Sequence, residues 1–299
     1  MVSTYGQLYL VARRMLTASE GEQAANTARE LLCIASGKSA EQILAHREMY
    51  ASEQVCQRMA ELVDRKATGE PLAYILGEWD FYGMHLYVTP DVLIPRDDTM
   101  AVTEAAIHLA LSLPQNPRIL DLCTGSGCIG LAVAKRIKDA RVTLGDISEA
   151  ALRVAKKNVQ AQKLTGRVSC LQVDACKPAS RFLGKFDMII SNPPYVTEAE
   201  MQDLEPSVRD FEPHLALDGG PNGLRFYREI LINYTPALNP GGVLCFEFGM
   251  GQHEAVCELL RQWEYEEITC KCDARGVIRA VTARKRKEPE ENGNEESSL

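Results

Sequence analysis

The tetrapeptide Asn192-Pro193-Pro194-Tyr195 follows FDMIIS, an apolar segment with the composition of a buried strand. Each proline fixes φ at about −65° and removes a backbone donor, so Asn192 and Pro193 are held extended. The carbonyl oxygen of Pro193 and the side-chain oxygen of Asn192 then remain as acceptors at a fixed separation. Two such acceptors suit a planar NH2 group, and Tyr195 can stack on the conjugated group behind that nitrogen.

A conjugated nitrogen is a weak nucleophile because its lone pair is delocalised. Acceptors that bind both of its hydrogens align it with an electrophilic methyl group, and they bind more strongly as the nitrogen gains positive charge. The pattern therefore predicts methyl transfer to a planar amino group. Asn192 and Pro193 are the predicted catalytic residues, and all four residues of the tetrapeptide are predicted to bind the substrate. A proline-stiffened loop without a catalytic role is the alternative.

A glycine-rich turn, Gly125-x-Gly127-x-x-Gly130, follows another apolar segment, RILDLC, and precedes the helical segment LAVAKRI. Glycines permit a tight turn and allow the backbone to approach a ligand closely. Asp146 ends the next predicted strand about 20 residues later, where a carboxylate can accept hydrogen bonds from ribose hydroxyls. The turn and this acid together predict an adenosine-type cofactor.

Asp121, just before the turn, separates two candidate cofactors. A dinucleotide would place its pyrophosphate at the helix N-terminus, whereas S-adenosylmethionine has no phosphate and would lay its amino-acid end along the turn. A carboxylate attracts an ammonium group and repels a phosphate, so Asp121 favours S-adenosylmethionine. Asp174, at the end of a third strand, can accept from the adenine amino group, and the backbone N–H of Ala175 can bind the ring.

The segments that carry these motifs predict an α/β fold. From Arg118 onward, short apolar strands alternate with helices, which is typical of a mainly parallel, doubly wound sheet. Only residues 274–276 separate the last two strands, too few for a crossover helix, so these strands are predicted to be antiparallel. Residues 224–238 are predicted to be helical.

The first part of the chain has apolar stripes at helical spacing. In the first stripe the predicted buried face comprises Leu8, Val11, Ala12 and Met15. The predicted domains are a helical domain over residues 1–75, a hairpin linker over 76–95, a catalytic domain over 96–284, and a disordered tail over 285–299.

Composition argues against several classes of protein. The chain of 299 residues has 33 Lys and Arg against 41 Asp and Glu, a formal net charge of −8, which disfavours a broad phosphate-binding surface. No apolar run is long enough to span a membrane and no secretory signal is evident, so a cytoplasmic protein is predicted. The ten cysteines and five histidines lack zinc-site spacing, and no metal is predicted.

The motifs resemble those of a known family. DLCTGSGCIGLAVA, GDIS and FDMIISNPPY resemble class I methyltransferases that act on planar amino groups. The segments GEPLAYILGEWDFYG, VLIPR, EPHLALDGGPNGLRFYREI and NPGGVLCFEFGMGQ resemble the release factor glutamine methyltransferases. The resemblance implies an α/β, Rossmann-like, seven-stranded class I methyltransferase domain with a small N-terminal helical bundle and a hairpin linker.

The resemblance also implies substrate and cofactor. The substrate would be the glutamine of the Gly-Gly-Gln motif in peptide chain release factors, methylated on its side-chain amide nitrogen, with S-adenosylhomocysteine as the second product. The helical region 1–75 would recognise the substrate, and no direct contact with nucleic acid or membrane is expected. The family's cofactor residues map onto Cys123, Thr124, Gly125, Ser126, Gly127, Asp146 and Asn192.

One segment departs from the family pattern, which commonly reads IPRPETE. In residues 94–100 of this chain the second proline and the second glutamate are absent, and Asp98 replaces the first glutamate. No catalytic role is predicted for this segment, and Asp98 is expected to favour the start of a helix through the helix dipole.

Three other functions remain open on the sequence alone. A DNA adenine methyltransferase is the main alternative, since adenine also has a planar amino group, but it requires a basic surface and elements that hold a flipped base. A nicotinamide-dependent dehydrogenase would explain the glycine turn and leave the tetrapeptide unexplained. A non-catalytic binding module would not need tight cofactor binding.

Overall fold

The computed structural model describes residues 3–287, which form twelve α-helices and nine β-strands. The helices are α1 (Tyr5–Glu20), α2 (Ala24–Ser36), α3 (Ala40–Ala45), α4 (Glu53–Ala67), α5 (Leu72–Leu76), α6 (Met100–Ala110), α7 (Cys128–Arg136), α8 (Glu149–Ala161), α9 (Glu200–Asp203), α10 (Pro206–Arg209), α11 (Arg225–Tyr234) and α12 (His253–Gln262). The strands are β1 (Glu78–Phe81), β2 (Met84–Tyr87), β3 (Arg118–Leu122), β4 (Arg141–Asp146), β5 (Val168–Gln172), β6 (Phe186–Ser191), β7 (Leu238–Glu247), β8 (Tyr265–Cys272) and β9 (Ile278–Lys285).

The chain divides into two compact units. The first comprises Met1–Ile94 and Glu200–His214, and the second comprises Pro95–Ala199 and Leu215–Leu299. Residues 200–214 therefore group with the first unit, although the predicted domains placed them within 96–284. The division into a helical domain, a linker and a catalytic domain with boundaries at residues 75, 95 and 284 stays a prediction.

The first unit is built on the helices α1 to α5 and the antiparallel hairpin of β1 and β2. A capping box starts α1, in which the Thr4 side chain accepts from the Gln7 backbone and the Gln7 side chain accepts from the Thr4 backbone. The predicted buried face of α1 is partly wrong, because Val11 and Met15 are 58% and 54% exposed. The apolar spacing fits more than one rotation of the helix, and packing selects the face formed by Tyr5, Ala12 and Leu16.

The second unit contains the predicted doubly wound sheet. Its seven strands lie in the order β5-β4-β3-β6-β7-β9-β8. The first five are parallel, and β9 pairs antiparallel with both β7 and β8, as the short connection between the last two strands predicted. The predicted Rossmann-like, seven-stranded α/β fold is confirmed.

Two predicted boundaries need correction. The helix predicted over 224–238 ends earlier, because a 3-10 turn containing Pro236 follows Tyr234 and β7 begins at Leu238. Lys285 belongs to β9, paired with Tyr265, and its ammonium group donates to the carbonyl oxygens of Thr235 and Leu238. The remainder of the predicted tail from residue 288 lies outside the described residues. Within residues 3–287, no helix combines the length and apolar character needed to cross a bilayer.

Candidate active site

The site lies where the strand order of the sheet reverses. β4 and β5 lie on one side of β3, and β6 and β7 lie on the other. Doubly wound sheets bind ligands outside the carboxyl ends of their strands at such a point. The register pairs Leu122 of β3 with Ser191 of β6, and Ser191 with Phe246 of β7. The residues after these paired positions are therefore neighbours at one edge of the sheet: Cys123, Asn192 and Glu247.

Asp121 holds the glycine turn through hydrogen bonds to Thr124 and Gly130. Its side chain is fully buried, and Oδ2 accepts hydrogen bonds from Thr124 Oγ1 at 2.6 Å and from the Gly130 backbone N–H at 2.9 Å. Oδ1 is buried and has no hydrogen-bond partner among the described residues. Burial raises the pKa of this carboxyl to about 7, although the two hydrogen bonds oppose the shift.

Gly130 lets α7 approach β3 and β4 closely. A Cβ at this position would lie 2.4 Å from Leu144 Cδ2 and 2.9 Å from Asp121 Oδ2. Any side chain would therefore separate the helix from the sheet and break the contact between Gly130 and Asp121. The third glycine of the turn has a packing role, whereas Gly125 and Gly127 adopt positive φ values of 54° and 85°.

Asp146 holds the other side of the turn. Its Oδ2 accepts from the Gly125 N–H and its Oδ1 from the Ser148 N–H, both at 2.9 Å. Burial raises the pKa of this carboxyl, and the backbone hydrogen bonds oppose that shift. Asn158 of α8, a residue that the sequence did not single out, donates from Nδ2 to the Ser126 carbonyl oxygen at 2.9 Å. The backbone N–H of Ile147 also donates to the Asp146 carboxylate, which leaves about one of its roughly four acceptor sites for another donor.

Asp174 and Ala175 follow β5 at the same end of the sheet. The Asp174 carboxylate accepts from the Cys176 N–H at 2.9 Å and lies 3.3 Å from Lys177 Nζ. The Tyr234 hydroxyl donates to the Asp174 carbonyl oxygen at 3.1 Å. Ala175 is 5% exposed, and within residues 3–287 its backbone N–H donates to no acceptor.

A second segment of backbone fixes the tetrapeptide. The Val196 N–H donates to the Leu217 carbonyl oxygen at 2.9 Å, and the Gly219 N–H donates to the Val196 carbonyl oxygen at 2.8 Å. Gln252 Nε2 donates to the Tyr195 carbonyl oxygen at 2.9 Å. The backbone of Tyr195 and Val196 is thus held by hydrogen bonds to residues 217, 219 and 252.

The two acceptors predicted from the sequence are unoccupied by the protein. Asn192 Nδ2 points to Thr99 Oγ1 at 3.5 Å, which leaves Asn192 Oδ1 on the opposite side of the amide. In the described part of the chain, no donor reaches either Asn192 Oδ1 or the carbonyl oxygen of Pro193. Burial raises the pKa of the Tyr195 hydroxyl above its ordinary value, so this side chain stays neutral near pH 7.

Comparison with known proteins identifies the family. The family model described as "Methyltransferase small domain" matches residues 102–210, and the one described as "PrmC N-terminal domain" matches residues 7–77. The release factor glutamine methyltransferase of Geobacter sulfurreducens is 41% identical over 225 residues, or 75% of this chain and 76% of that protein. The protein of the same name from Bradyrhizobium diazoefficiens is 37% identical over 287 residues, or 94% and 96% of the two chains. This chain belongs to the release factor glutamine methyltransferase family.

A solved structure agrees with the fold of this family member. The catalytic domain of hMettl16, crystallised with a hairpin of the MAT2A 3′UTR, is 15% identical and superposes with a TM-score of 0.54. The match covers 81% of this chain and 86% of that one. At this identity the likeness concerns the fold alone. The family resemblance stated from the motifs is confirmed.

Thr99 and Glu247 are site residues that sequence reasoning missed in this family member. The Glu247 carboxylate is 1% exposed and accepts hydrogen bonds from the side chains of Thr99 and Asn192. Burial raises its pKa to about 7, against the effect of these hydrogen bonds. An isolated acid in the apolar strand GGVLCFEFG was the available signal, because a buried carboxylate is uncommon without a function.

Two arginines hold Asp98, which lies in the segment that departs from the family pattern. Asp98 Oδ1 lies 2.7 Å from Arg275 Nη2, and Asp98 Oδ2 lies 2.7 Å from Arg279 Nη2. Asp98 also lies in the 3-10 turn directly before α6, a position consistent with the expected effect on the helix dipole, although it makes no capping hydrogen bond. These ion pairs fix the backbone next to Thr99.

The buried Asp121 carboxyl predicts a pH-dependent change in stability. Its pKa is about 7 in the folded chain against an ordinary value of 3.8, so unfolding releases a proton between these two values. The ionised group therefore destabilises the fold progressively as pH rises through this window. Asp121→Asn removes the effect. The free energy of unfolding of this variant minus that of the parent protein should be larger at about pH 8 than at about pH 5, which means that the variant gains stability relative to the parent as pH rises. Urea unfolding at both pH values measures this, and an equal difference at the two would contradict the prediction.

Proposed function

We propose that this protein transfers a methyl group from S-adenosylmethionine to the side-chain amide nitrogen of the glutamine in the Gly-Gly-Gln motif of peptide chain release factors, giving S-adenosylhomocysteine. Relatives at 41% and 37% identity bear the name release factor glutamine methyltransferase, and they favour this function over DNA adenine methylation. The structural observation that carries the proposal is the pair of free acceptors, Asn192 Oδ1 and the Pro193 carbonyl oxygen, next to the glycine turn.

The acceptor pair suits the glutamine amide. One hydrogen of the NH2 group donates to Asn192 Oδ1 and the other to the Pro193 oxygen, which leaves the nitrogen face free to form the new bond. S-adenosylmethionine, when bound, supplies an electrophilic methyl group whose bonding electrons return to its sulfur. As the nitrogen becomes positively charged, both acceptors bind it more strongly, which stabilises the transition state over the bound substrate. The alkylated nitrogen is strongly acidic and releases a proton to water, so no strong general base is needed.

The residues around the turn fit S-adenosylmethionine better than a dinucleotide. The buried and unpartnered Asp121 Oδ1 favours a positive group near the turn and opposes a phosphate. The remaining acceptor site of Asp146 suits a ribose hydroxyl, and the free Ala175 N–H suits an adenine ring nitrogen. We therefore assign the cofactor to Asp121, Cys123, Thr124, Gly125, Ser126, Gly127, Asp146, Asp174, Ala175 and Asn192.

Asp146→Ala should weaken cofactor binding. The change removes an acceptor for ribose and also frees the Gly125 N–H, so the affinity for S-adenosylhomocysteine should fall by at least about tenfold. Isothermal titration calorimetry measures this affinity. Asp139→Ala is the matched control, because Asp139 also accepts from a loop N–H, that of Asn116, at the amino end of β3. Equal affinity in the two variants would remove Asp146 from the proposed cofactor site.

We further propose that the helical region 1–75 recognises the release factor and that the reaction takes place in the cytoplasm. The exposed apolar side chains of α1 support the first part: Leu10, Val11 and Met15 are 60%, 58% and 54% exposed. The double change Val11→Ser and Met15→Ser should raise KM for the release factor several-fold and leave kcat unchanged, because it removes apolar contact area distant in sequence from the acceptors. An unchanged KM would contradict recognition through this face.

The decisive experiment maps the modified atom. The protein is incubated with S-adenosylmethionine and purified release factor, and the product is analysed by peptide mass spectrometry. One added methyl on the glutamine of Gly-Gly-Gln is the expected result. A release factor with glutamate at that position is the control and should gain no methyl group. Methylation of duplex DNA instead of release factor under the same conditions would refute the proposal.

A further inference from the structure

The amide of Asn192 has two possible orientations, and only one of them serves the proposed reaction. With Oδ1 toward the substrate nitrogen, the side chain accepts a hydrogen bond. With the amide rotated by half a turn, Nδ2 would present hydrogens to the hydrogens of the substrate. Oxygen and nitrogen have similar sizes, so shape alone does not select between the two, and hydrogen bonding must do so.

Glu247 is one hydrogen-bond acceptor for the Asn192 amide. Its Oε2 is buried without a partner, so Oε1 is the atom that accepts from Thr99 and Asn192. This assignment applies to the ionised carboxylate, whose two oxygens can only accept hydrogen bonds. The carbonyl oxygen of Glu247 accepts from the Tyr227 hydroxyl at 2.9 Å, which fixes the end of the strand.

The Thr99 hydroxyl oxygen is a second acceptor for the Asn192 amide. Its hydroxyl has one hydrogen, and that hydrogen is donated to Glu247. The Thr99 oxygen is then available only as an acceptor toward Asn192, whose Nδ2 lies 3.5 Å away. Thr99 is 2% exposed, so water does not replace these contacts, and its backbone N–H donates to the Arg96 carbonyl oxygen at 3.1 Å.

We propose that Thr99 and Glu247 are positioning residues that hold the Asn192 amide in one rotation, with Nδ2 toward Glu247 and Thr99 and Oδ1 toward the nitrogen to be methylated. The inference rests on the proposed function for the identity of that nitrogen. It extends that function by assigning a role to the segment that departs from the family pattern. In this segment Asp98 pairs with Arg275 and Arg279 and fixes the backbone on which Thr99 stands.

The test replaces one hydroxyl. Thr99→Val keeps the shape of the side chain and removes both the donor to Glu247 and the acceptor for Asn192. We expect kcat to fall on the order of tenfold, the effect of losing one buried hydrogen-bond partner, while KM for the release factor and the affinity for S-adenosylhomocysteine stay within about twofold. Thr99→Ser restores the hydroxyl and should recover most of kcat.

Thr282→Val is the matched control. Thr282 is also buried, at 5% exposure, and its hydroxyl lies 3.4 Å from the Thr269 carbonyl oxygen, in the antiparallel part of the sheet. This variant should keep the parental kcat. A similar loss of kcat in Thr99→Val and Thr282→Val would indicate a general effect of removing a buried hydroxyl, and it would overturn the positioning role.

A measurement without substrate or cofactor separates this inference from the proposed function. The side-chain NH2 signal of Asn192, identified as the one missing from Asn192→Ala, is recorded by ¹H–¹⁵N NMR. We expect it to shift in Thr99→Val and to return toward its original position in Thr99→Ser. If release factor is not methylated but this signal behaves as expected, the proposed function fails and the anchoring of Asn192 stands. An unmoved signal in Thr99→Val overturns the anchoring itself.

Discussion

Asn192→Ala should lower kcat by at least about 10²-fold, the effect seen when one preorganised polar group is removed from a transition-state site. The variant loses Oδ1, one of two free acceptors, so the substrate nitrogen is held by a single hydrogen bond to Pro193 and can rotate away from the methyl group. The remaining rate comes from the Pro193 oxygen and from proximity. Single-turnover methylation of release factor measures the chemical step directly.

Asn239→Ala is the control for this prediction. Asn239 Nδ2 also donates to a carboxylate, that of Asp187, at 2.8 Å, but at the amino end of the sheet and away from the strand ends that form the site. Both variants lose a hydrogen bond from an asparagine side chain to a carboxylate, and only Asn192→Ala should lose turnover. A kcat for Asn192→Ala near that of the parent would exclude the acceptor pair as the source of catalysis.

The parallel sheet explains why the two main motifs could be placed from sequence. In a doubly wound sheet the carboxyl ends of all parallel strands lie at one edge, so motifs that end strands meet without any knowledge of side-chain packing. Cys123 and Asn192 follow residues that are paired in register, Leu122 and Ser191. Local patterns were sufficient for this part of the site.

The supporting residues required information that local patterns do not hold. Thr99 contacts Asn192 across 93 positions of sequence, and nothing in its neighbourhood marks it as a partner. Glu247 reaches the site because β7 adds next to β6 with a particular register, and a shift of one residue would turn its side chain to the opposite face. The rotation of α1 was mispredicted for the same reason, since tertiary packing chose between two similar apolar faces.

The two buried carboxyl groups, Asp121 and Glu247, lower the stability of the fold when they are ionised. Both have pKa values raised to about 7 by burial, and both carry one oxygen without a partner in the described structure. A buried carboxylate without full hydrogen bonding destabilises a protein, so packing does not explain their presence. Asp121 lies on β3, which carries the glycine turn, and Glu247 ends β7, which pairs with the tetrapeptide strand β6; these positions favour a functional explanation for both.

Gly219 packs directly against the backbone of the tetrapeptide. A Cβ at this residue would lie 2.7 Å from Tyr195 Cα, 2.8 Å from the Tyr195 carbonyl carbon and 2.9 Å from the Pro194 carbonyl oxygen. All three contacts are with backbone, which cannot move aside as a flexible side chain can. The backbone of the tetrapeptide and that of residue 219 must therefore separate if any side chain is added.

We expect Gly219→Ala to lower the free energy of unfolding by about 1–3 kcal/mol, as overpacking does elsewhere, and to lower kcat by about 10²-fold. The second effect is the larger one because an acceptor displaced by about 1 Å no longer aligns the nitrogen with the methyl group. The affinity for S-adenosylhomocysteine should change little, since the glycine turn belongs to β3 and α7. Gly166→Ala is the control, because no atom lies within 4 Å of its added Cβ and its φ is ordinary. Parental turnover in Gly219→Ala would show that the position of the tetrapeptide does not depend on this contact.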